Sequence, residues 1–188
     1  GLNLIEYGGY GLLIVGISSL FFAWCYTGGP YPLAYNALGD IFVVLFFGLI
    51  AVCVTFYVHT LGLNWLILLN ALACGLFTNN LLVINNIRDC EEDRVSGKRT
   101  TIVLFGKPFG RKLIAISCLF ASAIPIINAL VTESFLPLLG IIPPCLCWTQ
   151  IKNILTEESK ESLYKLLKNT GLNVFLYGIL VSLGFFLN

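Results

Sequence analysis

Between Ile41 and Ile87 the chain contains no Asp, Glu, Lys or Arg. A stretch that long without a charge cannot fold into an element bathed on one face by water. At roughly 20 apolar residues per crossing it is long enough for two passages through a bilayer. The rest of the chain agrees, since 57% of its residues are hydrophobic and 11% charged, whereas soluble domains carry about 25% charged residues. Barrel strands that cross membranes alternate apolar and polar residues in segments of about ten. These runs are apolar on every side, which leaves an all-α, polytopic transmembrane helical bundle.

Breaks in the apolar runs divide the chain into six predicted spans, at 7–25, 41–59, 64–87, 113–132, 135–151 and 171–188, in a single membrane domain. Trp24 and Tyr26 end the first span as an interfacial belt. Gly28-Gly29-Pro30 and Tyr31-Pro32 then break the helix, so residues 26–40 form an aromatic loop. Pro125 predicts a kink in span four, and Pro143-Pro144 a bend in span five. Between spans five and six, Thr156 reads as a helix cap, with early acids and late lysines suited to the helix dipole. Leu163, Leu166 and Leu167 share a face there, predicting a short interfacial helix over 152–168.

All eleven Lys and Arg residues lie in two segments, Arg88 to Lys112 and Lys152 to Lys168. Six alternating spans put both segments on one side, which the positive-inside rule makes the cytoplasmic side. The same alternation brings the 26–40 loop to that face. His59, the only histidine, falls at the opposite interface. A net charge of +1 gives no reason to expect a nucleic-acid partner. The seven cysteines lie mostly in apolar runs without a C-x-x-C pair, and read as small buried hydrophobes. Asn70 and Asn128 read as packing residues, and Asn79 and Asn80 as interhelical hydrogen bonders or pocket lining. The chain contains no Met and begins at Gly1 in an apolar helix, which reads as the C-terminal part of a longer protein.

The abrupt end of the uncharged run is the candidate site. Residues 85–100 hold four acids and four bases. Asn85, Asp89 and Asp93 recur every four residues, so a helix continuing past the lipid boundary would present them in one row. Hard oxygens in such a row suit Mg²⁺, which usually takes one or two carboxylates together with substrate phosphates. Arg88, Arg94, Lys98 and Arg99 surround the row and can neutralise phosphate oxygens.

The order Asn85-Asn86-x-Arg88-Asp89-x-x-x-Asp93-Arg94-x-x-Gly97-Lys98-Arg99-Thr100 resembles the second aspartate motif of the UbiA superfamily of intramembrane aromatic prenyltransferases. Tyr26 to Pro30, Pro32-Leu33 and Leu38-Gly39-Asp40 are similar to the loop between the fourth and fifth helices in its 1,4-dihydroxy-2-naphthoate branch. The resemblance implies helices four to nine of a nine-helix fold. It implies that Asp89 and Asp93 hold Mg²⁺ on a polyprenyl diphosphate, that Asn85 and Asn86 orient that site, and that Arg88, Lys98 and Arg99 stabilise charge on the departing diphosphate. Tyr26, Tyr31 and Tyr35 would cap the site against water. The implied reaction is transfer of the polyprenyl group to 1,4-dihydroxy-2-naphthoate with loss of CO₂, in menaquinone synthesis at a bacterial inner membrane, with the prenyl tail open to membrane lipid.

The chain also departs from that pattern. The superfamily's first acidic motif has no counterpart here, so this piece alone is expected to be inactive. Ala37 stands where the branch leads one to expect Gly, and the 26–40 loop has no Lys or Arg. Two alternatives remain beside this reading: prenylation of another quinone precursor, of ubiquinone or phylloquinone type, and a membrane transporter. Transporters place ionisable groups near mid-membrane, whereas here the charges gather at one face.

Overall fold

A computed structural model describes residues 3, 5–154 and 159–187. Among these, all regular structure is helical. After a single turn, α1 (Ile5–Gly8), the apolar helix α2 runs from Gly11 to Thr27. A short 3-10 turn at Leu33–Tyr35 leads to α3 (Gly39–Thr60), whose middle, Val44–Ile50, widens into π-helical turns. Then come α4 (Trp65–Arg88), α5 (Cys90–Val95), α6 (Thr101–Phe105) and α7 (Lys107–Thr132). A 3-10 segment, Leu136–Ile141, leads directly into α8 (Ile142–Ile154), and α9 (Lys160–Phe186) ends the bundle.

Helices α3, α4, α7 and α9 are long and apolar enough to cross a membrane; α2 is a shorter apolar helix. The chain is thus a polytopic helical integral membrane protein. The centre of the bundle is α4, which packs on α3, α7 and α9. Half of its apolar window is buried, against 11% for α3.

Lipid tails are as apolar as leucine, so helices in a bilayer are held by close packing and polar links rather than by expulsion from water. Both devices are present on α4. Gly48 of α3 and Gly75 of α4 meet backbone to backbone: a Cβ on Gly48 would fall 2.5 Å from the Gly75 Cα and 2.6 Å from the Ala71 carbonyl oxygen. On the opposite flank, Asn70 and Asn128 exchange two amide hydrogen bonds of 2.9 and 2.8 Å between α4 and α7. Nearer the charged end, Ser117 donates to the Asn80 Oδ1, and the Asn80 amide reaches the Cys118 sulfur at 3.8 Å. The four amides expected to pack or bridge helices do so, and Phe77 stacks edge-on against Tyr177 in the core beside them.

Several expectations need correction. The fifth span, expected as a helix bent near Pro143-Pro144, is a 3-10 segment up to Ile141 followed by an α-helix from Ile142. Pro137 and Gly140 sit in a 3-10 segment pressed between neighbours: a Cβ on Gly140 would lie 2.9 Å from Pro125, and one on Gly184 of α9 would lie 2.7 Å from the Pro137 Cα. Pro143 and Pro144 occupy the first turn of α8, where a missing N–H costs nothing. Pro125 is accommodated inside the continuous α7.

Among the described residues of 152–168 there is no separate interfacial helix. The first residues of that stretch finish α8, and its leucines belong to α9, capped by the Ser159 hydroxyl on the Ser162 N–H at 3.1 Å. Leu163 and Leu166 are buried in the core, so the apolar face meets protein rather than lipid. The expected cap Thr156 lies outside the described residues. Span six accordingly begins at Lys160 rather than near 171, and span four begins at Lys107. His59 is exposed in the last turn of α3, as expected, and Cys53, Cys90, Cys118 and Cys147 are buried free thiols.

Candidate active site

The charged strip folds as a bent extension of α4 rather than as one straight helix. Asp89 closes α4 with φ −95° and ψ 7° and opens α5. Helical spacing nevertheless survives the bend, because the Asp89 N–H reaches the Asn85 carbonyl (3.0 Å) and the Asp93 N–H reaches that of Asp89 (2.8 Å). Asn85, Asp89 and Asp93 therefore remain on one side, as their spacing predicts.

Across from them lies the loop that follows α2. Gly28 caps α2 by donating its N–H to the Trp24 carbonyl (2.9 Å), and Gly29 takes the left-handed φ of +77° that the chain reversal needs. The Asn36 amide donates to the Pro32 carbonyl (2.7 Å) and fixes the 3-10 turn. Ala37 also has a left-handed backbone, φ +59°, which gives the physical reason a glycine suits that position. The loop then docks on the strip: the Arg99 N–H donates to the Tyr35 carbonyl (2.9 Å), with a parallel bridge between Asn36 and Arg99. The two segments predicted to share a face are in direct contact.

Between them is a cleft of about 90 Å³, lined by Tyr26, Ala34, Tyr35, Ala37, Gly39, Asp40, Leu82, Asn85, Asn86, Asp89, Asp93, Lys98, Thr100 and Thr101. Seven of the ten residues singled out in the sequence line it: Tyr26, Tyr35, Asn85, Asn86, Asp89, Asp93 and Lys98. The other three do not. Tyr31 is an exposed loop residue, and the Arg99 side chain is exposed while its backbone serves the docking just described. Arg88 lies behind the wall, its guanidinium 4.4 Å from the centre of the Tyr164 ring on α9.

Each acid of the strip has its own cation. Arg88 grips both Asp89 oxygens at 2.7 Å and donates a third bond to the Asn85 Oδ1 at 2.6 Å. Those bonds hold the Asp89 carboxyl below the usual carboxylate range, outweighing its partial burial. Lys98 bonds the buried Asp93 at 2.7 Å and rests 5.3 Å from the Tyr35 ring centre; its bond to Asp93 raises its pKa. The lowered pKa of Asp89 keeps its pair with Arg88 ionised at neutral pH. Glu92 pairs with Lys160 at the start of α9. That contact puts the two basic segments at the same end of the bundle.

The sequence reading missed Asp40 as a site residue. Its Oδ1 accepts from the Asn79 amide (2.9 Å) and its Oδ2 from the Thr101 hydroxyl (2.6 Å), so it ties α3 to α4 and α6 within the cleft. A signal was present, since Asp40 is the only acid between Glu6 and Asp89 and stands at the mouth of an uncharged span.

A cleft of carboxylates, amide oxygens and an ammonium at the rim of an apolar bundle suits an enzyme that handles a charged headgroup on a lipid tail. Residues 5–185 match the UbiA prenyltransferase family, and the chain belongs to it. It is similar to the 1,4-dihydroxy-2-naphthoate octaprenyltransferases of Escherichia coli (33% identical over 181 residues, covering 95% of this chain and 58% of that protein) and Mycobacterium leprae (30% over 171 residues, 91% and 58%). A 2-carboxy-1,4-naphthoquinone phytyltransferase of Synechocystis is 26% identical over 106 residues, 56% of this chain and 34% of that protein. The chain thus spans about 58% of the length of the first two relatives. No solved structure matches.

Proposed function

We propose that this chain supplies the second acidic motif and the capping loop of an Mg²⁺-dependent prenyltransferase that transfers a polyprenyl group from its diphosphate to 1,4-dihydroxy-2-naphthoate, with decarboxylation, in menaquinone synthesis. The observation that carries this reading is the convergence of Asn85, Asp89, Asp93 and Lys98 on one cleft roofed by the 26–40 loop. The naphthoate acceptor is favoured over other quinone precursors by the relatives of greatest coverage, which carry that substrate in their names.

The donor set fits the metal: three hard oxygen side chains on one wall, two of them carboxylates. Among the described residues no cluster of three or more acids, His or Cys gathers, so substrate phosphates and a further motif would complete the coordination. Asp89 and Asp93 would hold the ion, which when bound neutralises the diphosphate and eases its departure. Arg88 works from behind, fixing the plane of the Asp89 carboxylate and the Asn85 amide as outer-shell partners do. Lys98, in the cleft wall, would face growing charge on the leaving group; Arg99, expected to share that task, turns its side chain outside the cleft. Tyr26 and Tyr35 line the cleft, with Tyr31 at the loop's exposed edge, and together they limit the water that would quench an allylic cation. The strip faces the cytoplasm of a bacterial inner membrane in this reading, because every Lys and Arg of the chain lies in the two segments at that end.

The test is transfer of labelled prenyl groups to the naphthoate by the protein expressed from its complete reading frame. Product that requires Mg²⁺ supports the reading; solute flux in liposomes with no prenyl product refutes it. The 188-residue chain alone is expected to give no turnover, and activity from it would show that no further acids are needed.

A further inference from the structure

The acids of the cleft differ in one respect. Asp89 and Asp93 each hold a cation, whereas Asp40 is bound only by two neutral donors, the Asn79 amide and the Thr101 hydroxyl. No ion pair reaches it among the described residues. A carboxylate offers about four acceptor positions, so Asp40 retains unused capacity. Its partner Asn79 is buried, and the Asn79 Oδ1 has no donor. The orphaned amide oxygen is an independent sign that something is to be bound, because buried polar atoms in folded proteins are almost always satisfied.

Asp40 and Asn79 together are a set of acceptors awaiting a donor. A diphosphate presents only acceptor oxygens and negative charge, which Asp40 repels. A prenyl chain presents no polar hydrogen. A phenolic hydroxyl supplies what both groups lack. Space points the same way. The cleft, at about 90 Å³, is the smaller and more polar of two neighbouring spaces. On the other side of Tyr26 lies an apolar groove of about 500 Å³ walled by Phe22, Phe42, Phe46 and Phe47. Phe42 and Phe46 are stacked 5.9 Å apart, and both follow Asp40 on the same helix. Tyr26 lines both this groove and the cleft that holds Asp40, so the two spaces adjoin at its side chain.

We infer that Asp40 and Asn79 form the subsite for the hydroxyl of the aromatic acceptor, Asp40 taking its proton; this rests on the prenyltransferase reading above. The hydroxyl O–H bond breaks and its proton moves to Asp40. The electron pair left on oxygen feeds the ring carbon that bonds to the prenyl carbon, as the bond from that carbon to the diphosphate oxygen breaks. When CO₂ leaves, its bonding pair restores the ring, and the oxygen recovers the proton from Asp40.

The experiment compares three acceptors, 1,4-dihydroxy-2-naphthoate and its two monohydroxy analogues, in the protein from its complete reading frame. A hydrogen bond to a charged group is worth about a 10- to 100-fold preference. The wild type should lose kcat/KM by that factor with one monohydroxy acceptor. Asp40→Asn should turn over the dihydroxy substrate slowly and no longer distinguish the pair, with KM for the allylic diphosphate and the Mg²⁺ requirement unchanged. Discrimination that survives Asp40→Asn, or a changed Mg²⁺ requirement, overturns the inference and leaves the prenyltransferase reading standing. A wild type that prenylates none of the three sinks both. Should Asp40→Asn fail to fold, Asp40→Glu carries the test. It keeps the charge but moves it by about 1.5 Å, so kcat should fall while discrimination persists; an unchanged kcat overturns the inference.

Discussion

Two polar regions interrupt this bundle, and they solve opposite problems. Toward the end of the bundle away from the charged strip, Asn70 of α4 and Asn128 of α7 satisfy each other, donor to acceptor in both directions, and further along Asn80 closes on Ser117 and Cys118. At the charged end of the bundle, Asp89 and Asp93 are held by cations yet line an open cleft, and Asp40 and Asn79 have acceptor capacity left over. The closed region joins helices where no water can help. The open one is arranged for a visitor. Polar residues in a membrane chain are thus better sorted by whether their hydrogen-bonding capacity is spent than by how deep they lie.

The sharpest way to break the contrast is to substitute one residue in each region. Asp93→Ala in the open cleft should lower prenyl transfer by roughly 10³-fold, about 4 kcal/mol of transition-state stabilisation, with thermal unfolding in detergent little changed and membrane insertion intact. Retained activity would remove Asp93 from the proposed metal site. Asn70→Leu in the closed pair should do the reverse. It strands the Asn128 amide in a fully buried position, at a cost of about 1–3 kcal/mol in stability, while kcat per folded molecule is kept. The double variant Asn70→Leu/Asn128→Leu strands nothing and should recover most of the loss. If it is as unstable as the single variant, the pair is not the closed unit described.

The open region was also the more legible one in the sequence, because a charge cluster after an uncharged run is a one-dimensional signal. Lipid imposes the same simplicity on the helices, so the long apolar ones were readable from composition. What escaped the sequence depends on three-dimensional neighbours. Leu163 and Leu166 form an apolar stripe whether they face lipid or core, and only the packing of α9 on α4 distinguishes the two. The 3-10 path of Leu136–Ile141 follows from close contacts with Pro125 and Gly184. The role of Asp40 depends on Asn79 and Thr101, 39 and 61 residues away. Arg88 and Arg99 read as phosphate ligands from their charge, but folding turned one onto Tyr164 and used the other's backbone to hold the loop.

A smaller effect sharpens the view of the capping loop. Ala37 at φ +59° bears a steric cost of about 1–2 kcal/mol that glycine avoids. Glycine returns part of it as unfolded-chain entropy, roughly 0.5–1 kcal/mol. Ala37→Gly should therefore raise stability by up to about 1 kcal/mol, read as a modest increase in melting temperature in detergent. A fall in stability would mean that the loop does not hold this backbone.

The smallest expected effect concerns the acid Asp89 and its partner Arg88. The folded state lowers the Asp89 pKa through those bonds, so the pair contributes stability that is fully present above the unfolded carboxylate value, about 3.9. That contribution disappears as pH falls through the lower folded value. The side chains keep 13% and 24% of their exposure, so solvent screens the pair and its worth is less than about 1 kcal/mol. Asp89→Asn should accordingly melt slightly below the wild type at pH 7, with the gap unchanged down to about pH 5 and closing only under strong acid. A gap that widened on acidification would mean that Asp89 is held protonated, and it would remove the carboxylate from the proposed metal site.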